Sequence, residues 1–317
     1  MACAFPQVAG AAAPAADAAG DYPNRPVRLI VPFPPGGSND ILGRFMAARL
    51  TEKLGQQVIV DNRPGADGLI GSEIAARAQP DGYTLLIIST SYVMNPAIHK
   101  MPFDPVKALI AVAAIGTGAN AIVAHPGFAA SGVKDLVALA RAKPGQINYA
   151  SSGIGGFNHF GGELFKSITG IDMTHVPYKG GGPAMVDVMA GQVPVLFSTI
   201  VQALPQLRSG KLKALGTGGK KRSPALPDVP TVIEQGYPTY EVPIWWGFLA
   251  PAGTPGPLVR RVNDVVAQIL AETETRKRLS AEAAEPWVAQ PAEFGGVITA
   301  DLVRWAQVAK QANIRAH

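Results

Sequence analysis

A single cysteine, Cys3, occurs among 317 residues, so an intramolecular disulfide and a cysteine-based metal cluster are both excluded. Histidine is also scarce. His99, His125, His159, His175 and His317 show neither HxxxH nor HxH spacing, and no metal site is expected. Charged residues make up only 16% of the chain and the net charge is a mild +5. The one basic cluster, Lys220-Lys221-Arg222, is too short to form a nucleic-acid surface and reads as a solvated loop. No later stretch is long and apolar enough to span a membrane.

Catalytic and cofactor motifs are missing as well. Gly153-Ile154-Gly155-Gly156-Phe157-Asn158 has Asn where a dinucleotide-binding turn needs its third glycine, and Asp172 comes too early to be the paired acid. Gly216-Thr217-Gly218-Gly219-Lys220-Lys221 lacks the spacing and the hydroxyl of a phosphate loop. There is no GxSxG nucleophile elbow. Neither a catalytic residue nor a cofactor is assigned. A Ser-His-Asp set assembled only by folding stays open as an alternative.

What is present is a hydrophobic content of 47% in a chain long enough for two cores. Residues 1–20 read as a leader. Ala9–Ala19 is nearly all alanine, and Ala16-Asp17-Ala18 fits a small-x-small cleavage site. No Lys or Arg precedes Arg25, so the stretch reads as a residual export signal whose beginning is missing from this start; a floppy Ala-rich leader is the alternative.

The dominant pattern is a repeat. A strand at Val27–Val31 runs into Pro34-Pro35-Gly36-Gly37-Ser38-Asn39-Asp40 and then a helix to about Leu54. A strand at Ile147–Ala150 runs into Ser151-Ser152-Gly153-Ile154-Gly155-Gly156 and then a helix from about Phe157 to Ile168. Each copy continues with a strand, a helix and a strand: Val58–Val60, Leu69 to Ala78 and Thr84–Ile88 in the first, then Met173–Val176, a helix from Pro183 to Gly191 and Val193–Phe197 in the second. Two β-turn-α-β-α-β halves predict an α/β protein with mainly parallel sheets flanked by helices. Strand-like Ala111–Ile115, Ala121–Ala124 and Ile244–Ala250 read as crossovers between the halves. Two late amphipathic helices, marked by Leu258, Val262, Val265 and Ile269 and by Phe294, Ile298, Leu302 and Trp305, need the first half to pack on. The predicted division is therefore 21–118 plus 246–317 for a discontinuous first lobe and 119–245 for the second, with hinge strands near 116–122 and 242–248.

Glycine turns at helix starts expose backbone N–H groups and aim the positive end of the helix dipole at whatever lies above them. Two such turns predict an anion held in a cleft, and ligands of open α/β sheets sit beyond the carboxyl ends of the strands. Neither turn contains Arg or Lys, so neutral donors and ordered water are expected to hold the anion. The candidates are Ser38, Asn39, Ser151, Ser152, Gly155, Gly156 and Asn158, with Thr90, Ser91 and Ser198 for the rest of the ligand. Ser38 and Asn39 are equally suited to plain helix capping. Asp40 reads either as a first-turn acid or as an acceptor for a ligand OH or NH. His159 reads as a core residue or a contact, and Lys179 as a cleft cation or a solvated loop residue. Phe33 is a candidate apolar wall. Of Trp245 and Trp246, only one can face the cleft if both lie on a strand.

Several ordered motifs carry a family resemblance. Tyr22-Pro23-Asn24-Arg25-Pro26, the run from Val31 to Asp40, Val60-Asp61-Asn62-Arg63-Pro64-Gly65-Ala66, Pro80-Asp81-Gly82-Tyr83, His175-Val176-Pro177-Tyr178-Lys179-Gly180, Pro224-Ala225-Leu226-Pro227-Asp228-Val229-Pro230-Thr231 and Ala250-Pro251-Ala252-Gly253-Thr254-Pro255 resemble the substrate-binding proteins of tripartite tricarboxylate transporters, the Bug receptors. The resemblance spans about residues 21–310. It implies an exported, periplasmic, monomeric receptor with a two-lobed, type II-like Venus flytrap fold that closes on a small organic carboxylate. It places the carboxylate between the first-strand loop and the Ser151–Gly156 loop, partly through water. The implied partners are two membrane permease subunits, with a sensor kinase or an enzymatic role on the same scaffold as alternatives. Two positions depart from the family pattern: Ser198 stands where an acidic residue is frequent, and Pro194 where Asp is common.

Overall fold

A computed structural model describes residues 20–316 of the chain. The leader reading, its Ala16-Asp17-Ala18 cleavage site and Cys3 lie outside the described residues. The first core forms around Val27–Val31 (β1), which is flanked in parallel by Val58–Asn62 (β2) and Thr84–Ser89 (β3). Ser38–Leu54 (α1) connects β1 to β2, burying Leu42, Met46, Ala47 and Leu50 against the sheet. It stops at Gly55, whose left-handed φ of 71° lets its N–H bond Thr51 O. Leu69–Ala76 (α2) follows a 3₁₀ turn at Ala66–Gly68. It ends two residues before the expected Ala78, because Arg77 and Ala78 turn back to Glu73 and Ala75 ahead of Pro80. A short helix, Ser91–Met94 (α3), follows β3.

The two predicted stretches Ala111–Ile115 and Ala121–Ala124 are one continuous strand, Leu109–Ala124 (β4). Gly116 and Gly118 interrupt the apolar run and so suggest a break in the sequence. In the fold they permit close approach instead, since a Cβ on Gly116 would lie 2.8 Å from Glu285 O. After Val133–Ala142 (α4), the second repeat gives Asn148–Ser151 (β5), Phe157–Thr169 (α5), Thr174–Pro177 (β6), Gly181–Met189 (α6), Val195–Thr199 (β7) and Ile200–Arg208 (α7). β5 pairs in parallel with β6 and β7. Lys213–Thr217 (β8), which the sequence reading missed, pairs with β4. Pro243–Pro251 (β9) lies antiparallel between β3 and β4.

Gly256–Ala271 (α8), Thr273–Ala281 (α9), the short strand Glu285–Pro286 (β10) and Pro291–Gln311 (α10) close the chain. α8 and α10 both pack on β4, and α8 also packs on α1. α10 packs on α3 as well. The strand order is β2-β1-β3-β9-β4-β7-β5-β6, with β8 and β10 both on β4. β4 joins two strand groups: Leu109–Ala119 pairs with β9, and Asn120–Ala124 pairs with β7 and β8. On β9 the two tryptophans do point apart. Trp245 Nε1 donates to Asp301 (2.7 Å), while Trp246 Nε1 donates to Ser38 Oγ at the start of α1 (3.2 Å).

Candidate functional site

Each glycine turn is built by its sequence. Pro34 and Pro35 cannot enter a helix interior, Gly36 takes a φ of 88°, and Gly37 is an extended N-cap with no side chain to offer. In the second turn Gly153 and Gly155 are both at positive φ and Gly156 is the extended N-cap of α5. The first-turn N–H groups of both helices consequently face outward with no capping side chain of their own. The fold brings two further helix starts to the same place. α6 begins after Gly180 at φ 117°, and α7 begins at Thr199, whose Oγ1 accepts the Gln202 N–H.

The four helix starts meet around a cavity of about 30 Å³ lined by Phe33, Gly37, Ser38, Asn39, Ser91, Ser152, Asn158, Gly181, Thr199 and Gln202. A cavity of that size accommodates water or a carboxylate group. Two amide nitrogens on its wall, Asn39 Nδ2 and Gln202 Nε2, are buried without a hydrogen-bond partner. Buried polar groups are normally satisfied. These two donors are therefore arranged for an acceptor that the protein itself does not provide. Ser198 Oγ lies 3.3 Å from Gln202 Oε1, fixing the other end of that amide.

On the far side of Phe33 and Ser152 lies a larger cavity of about 610 Å³, lined by residues 64–69, His99, Ser152–Ile154 and Pro177–Gly180. Its walls belong to opposite strand groups, and contacts cross between them. Ser91 Oγ accepts the Phe157 N–H at the start of α5 (3.0 Å), His99 Nε2 lies 3.0 Å from Ile154 O, and Ser152 Oγ reaches Asp67 Oδ1 at 3.4 Å. The cleft is closed. Among the described residues no group of acidic, His or Cys side chains suits a metal ion. A third cavity, of about 300 Å³ beside Lys220 and Arg222, is remote from both turns, and those cations already face Glu241 and Glu234.

The candidates divide into two sets. Phe33, Ser38, Asn39, Ser91, Ser152 and Asn158 line the small cavity, and Lys179 sits, exposed, at the larger one. Several others point elsewhere. Asp40, expected as a possible ligand acceptor, is occupied by Gly36 N–H, Arg44 and Asn62; burial opposes its ionisation, but those bonds hold its pKa below the usual value. Thr90 Oγ1 accepts the Trp245 N–H and so fastens β9 to α3. Ser151 Oγ is taken by His175 and by Gly153 N–H and O. His159 is buried, stacked on His175 at 4.4 Å. Ser198 is wholly buried and acts on Gln202 rather than on the cavity. Gly155 and Gly156 give room, since a Cβ on Gly155 would meet Asn95 Oδ1 at 2.6 Å and His99 Cδ2 at 2.7 Å.

This placement separates the two serines experimentally. Ser152→Ala is expected to weaken ligand binding about tenfold. Ser151→Ala, which deletes a buried hydrogen bond worth about 1–3 kcal/mol, is expected to lower the melting midpoint by several degrees with little change in affinity. Paired calorimetry and thermal melts check both.

Sequence reading overlooked Gln202, His99 and Asp67 as site residues. Gln202 follows Ser198-Thr199 in the first turn of a helix, and Asp67 follows the turn that ends β2; both locations are strand carboxyl ends. Asp67 adopts a left-handed φ of 49°, which Asp tolerates better than most residues. The residue as a whole is half-buried, and Oδ2 is shielded from solvent and unpartnered. Burial pushes its carboxyl up from 3.8 to about 7, with Ser152 only partly offsetting the rise. A raised pKa means that the closed cleft favours the protonated acid. The stabilisation is complete below the unperturbed pKa and is lost as pH climbs to about 7. The ligand-free protein is therefore expected to open progressively between about pH 4 and pH 7, seen as a growing radius of gyration by X-ray scattering. Asp67→Asn is expected to flatten that dependence.

Known proteins share the sequence and the fold. The family model described as "Tripartite tricarboxylate transporter family receptor" matches residues 42–314. Protein BugT of Bordetella pertussis is 36% identical over 310 residues, covering 97% of this chain and 94% of BugT. A solved periplasmic transporter superposes with a TM-score of 0.90 at 39% identity, over 93% of this chain and 99% of its own. Rpa4515 of R. palustris, solved with adipate, superposes with a TM-score of 0.91 at 34% identity, over 93% of this chain and 100% of its own. The two strand groups joined by β4 are the lobes of a periplasmic-binding-protein fold. With a family match over most of its length, the chain belongs to the tripartite tricarboxylate transporter family of receptors.

Proposed function

We propose that the protein is an exported, non-catalytic receptor that closes its two lobes on the carboxylate of a small organic acid and presents it to the membrane permease of a tripartite transporter. One observation carries the reading: four helix N-termini and two unpartnered amide donors surround a single small cavity. Desolvating a carboxylate costs several kcal/mol. A helix N-terminus returns about 0.3–1 kcal/mol and a charge-assisted hydrogen bond about 1.5–3 kcal/mol, so the assembled groups are sufficient without an Arg or Lys. Rpa4515, solved with adipate, supports a carboxylate as the class of ligand.

In this reading Asn39, Gln202, Ser38 and Asn158 hold the carboxylate, Ser91 and Ser152 complete its surroundings, and Phe33 walls it off. On the same reading the first lobe comprises residues 21–118 and 246–317 and the second residues 119–245, with the hinge in the strands near 116–122 and 242–248. Contacts to both lobes favour the closed state, and that state is what a permease recognises. Residues 1–20 are read as the remainder of an export signal. A thermal-shift screen of short mono- and dicarboxylates, with mass spectrometry of whatever co-purifies, tests the reading. Stabilisation by acids and their intact recovery support it; indifference to every acid, or conversion of a bound one, contradicts it.

A further inference from the structure

The cavity of about 300 Å³ beside Lys220 and Arg222 lies outside the cleft, and the strand order locates it. The first strand group runs β2-β1-β3-β9-β4-β10 and the second β6-β5-β7-β4-β8. Thr117 of β4 pairs with β9 on one edge and β10 on the other, and Ala121 likewise pairs with β7 and β8. The larger cleft cavity is lined by the turns that follow β2 and β6, so the mouth is at that end of both groups. β10 and β8 are the opposite edges, beyond the strands that join the groups. The 300 Å³ cavity sits between these back edges. Ser280, Ala284 and Glu285 of the α9–β10 turn line one wall, residues 219–224 after β8 line the other, and residues 117–119 of β4 join them.

Resting on the reading of a cleft that opens and closes, we propose that this cavity is the space the lobes give up on opening, a gap behind the hinge that sets the balance between open and closed forms. Two bodies turning about β4 and β9 separate in front of that axis and approach one another behind it. Bulk placed in the gap therefore opposes opening, and attraction across the gap favours it. The walls carry such an attraction. Lys220 pairs with Glu241 and Arg222 with Glu234, all on the same side of the gap. Lys221 on that wall and Glu285 on the other are both exposed, and among the described residues neither has an ion pair. Opposite charges held apart gain as the gap narrows, so this pair draws the ligand-free protein open. A bound acid works against that pull. Because apparent affinity scales with the closed fraction, residues behind the hinge adjust binding without touching the ligand.

The test combines X-ray scattering of the ligand-free protein at about pH 8, above the window in which the cleft is expected to open, with calorimetry using succinate and adipate as probes. The wild type is expected to contract when a probe is added. Ser280 is exposed and Ser223 half-buried, so neither belongs to a core, and each can be enlarged from its own wall. Ser280→Trp and Ser223→Trp are expected to be compact without ligand and to bind the probe about three- to tenfold more tightly than the wild type. Damage to the fold would lower affinity instead of raising it. Glu285→Lys is expected to tighten binding about two- to fivefold, a gain that shrinks as salt is raised. Adding Lys221→Glu restores the attraction and is expected to return affinity to the wild-type value. A wild type that contracts, beside tryptophan variants that stay as open as it is and bind no more tightly, overturns the role of the gap and leaves the receptor reading standing. A wild type that neither probe contracts overturns the closing cleft as well.

Discussion

The double substitution Asn39→Ala with Gln202→Ala is expected to cost about a hundredfold or more in affinity for whichever acid binds best, with little loss of stability. The two amides are the buried donors that the cavity leaves unpartnered. Each is expected to contribute a charge-assisted hydrogen bond of about 1.5–3 kcal/mol to a bound carboxylate, and about 1.4 kcal/mol is a factor of ten. Removing both takes away donors that already lack partners in the ligand-free fold, so the folded protein loses little. Gln202→Ala also releases Ser198 Oγ, now bonded to Gln202 Oε1, and its single-variant effect is expected to include a small stability term. Calorimetry beside thermal melts separates the two effects. Loss of melting midpoint without loss of affinity would assign these amides to the core rather than to the ligand.

Gly156→Ala is expected to reduce affinity about ten- to hundredfold while leaving the open protein folded. Gly156 is an N-cap at φ −93° and ψ 179°, a conformation open to alanine, so no backbone strain is introduced. The obstacle is across the cleft. A Cβ there would overlap Asp67 Oδ2 and come within 2.5 Å of Asp67 Cγ, and an overpacked contact of this kind costs about 1–3 kcal/mol. Asp67 belongs to the opposite strand group from Gly156, so the clash exists only when the lobes are shut. Adding Asp67→Gly removes the obstructing side chain, and the double variant is expected to recover affinity for a plain acid. A Gly156→Ala protein that binds normally would show that the ligand-bound cleft is wider than the one described.

The halves of the fold were legible because periodicity survives in them: β1, α1, β5 and α5 appear within a residue or two of where their apolar patterns place them. The continuous β4 was not, because Gly116 and Gly118 look like a break in a strand and serve as close-packing positions. The site was legible in type more than in membership. Residue chemistry identified helix-start glycines with Ser and Asn, but which hydroxyls face the ligand depends on tertiary pairing. Ser151 and Ser152 are neighbours in sequence, yet one binds His175 and the other lines the cleft, since adjacent side chains leave a strand end on opposite faces. Gln202 and Asp67 sit far from either glycine turn in the chain, and only the crossing of the two strand groups brings them there.

The most direct measurement is a crystal structure of the protein with the acid that stabilises it best in the thermal screen. The expected density shows a carboxylate among the starts of α1, α5, α6 and α7, within hydrogen-bonding distance of Asn39 Nδ2 and Gln202 Nε2. A ligand whose carboxylate lies outside that cluster, for instance against Lys179 with an apolar end in the small cavity, would contradict the claim that helix ends and neutral amides bind the anion.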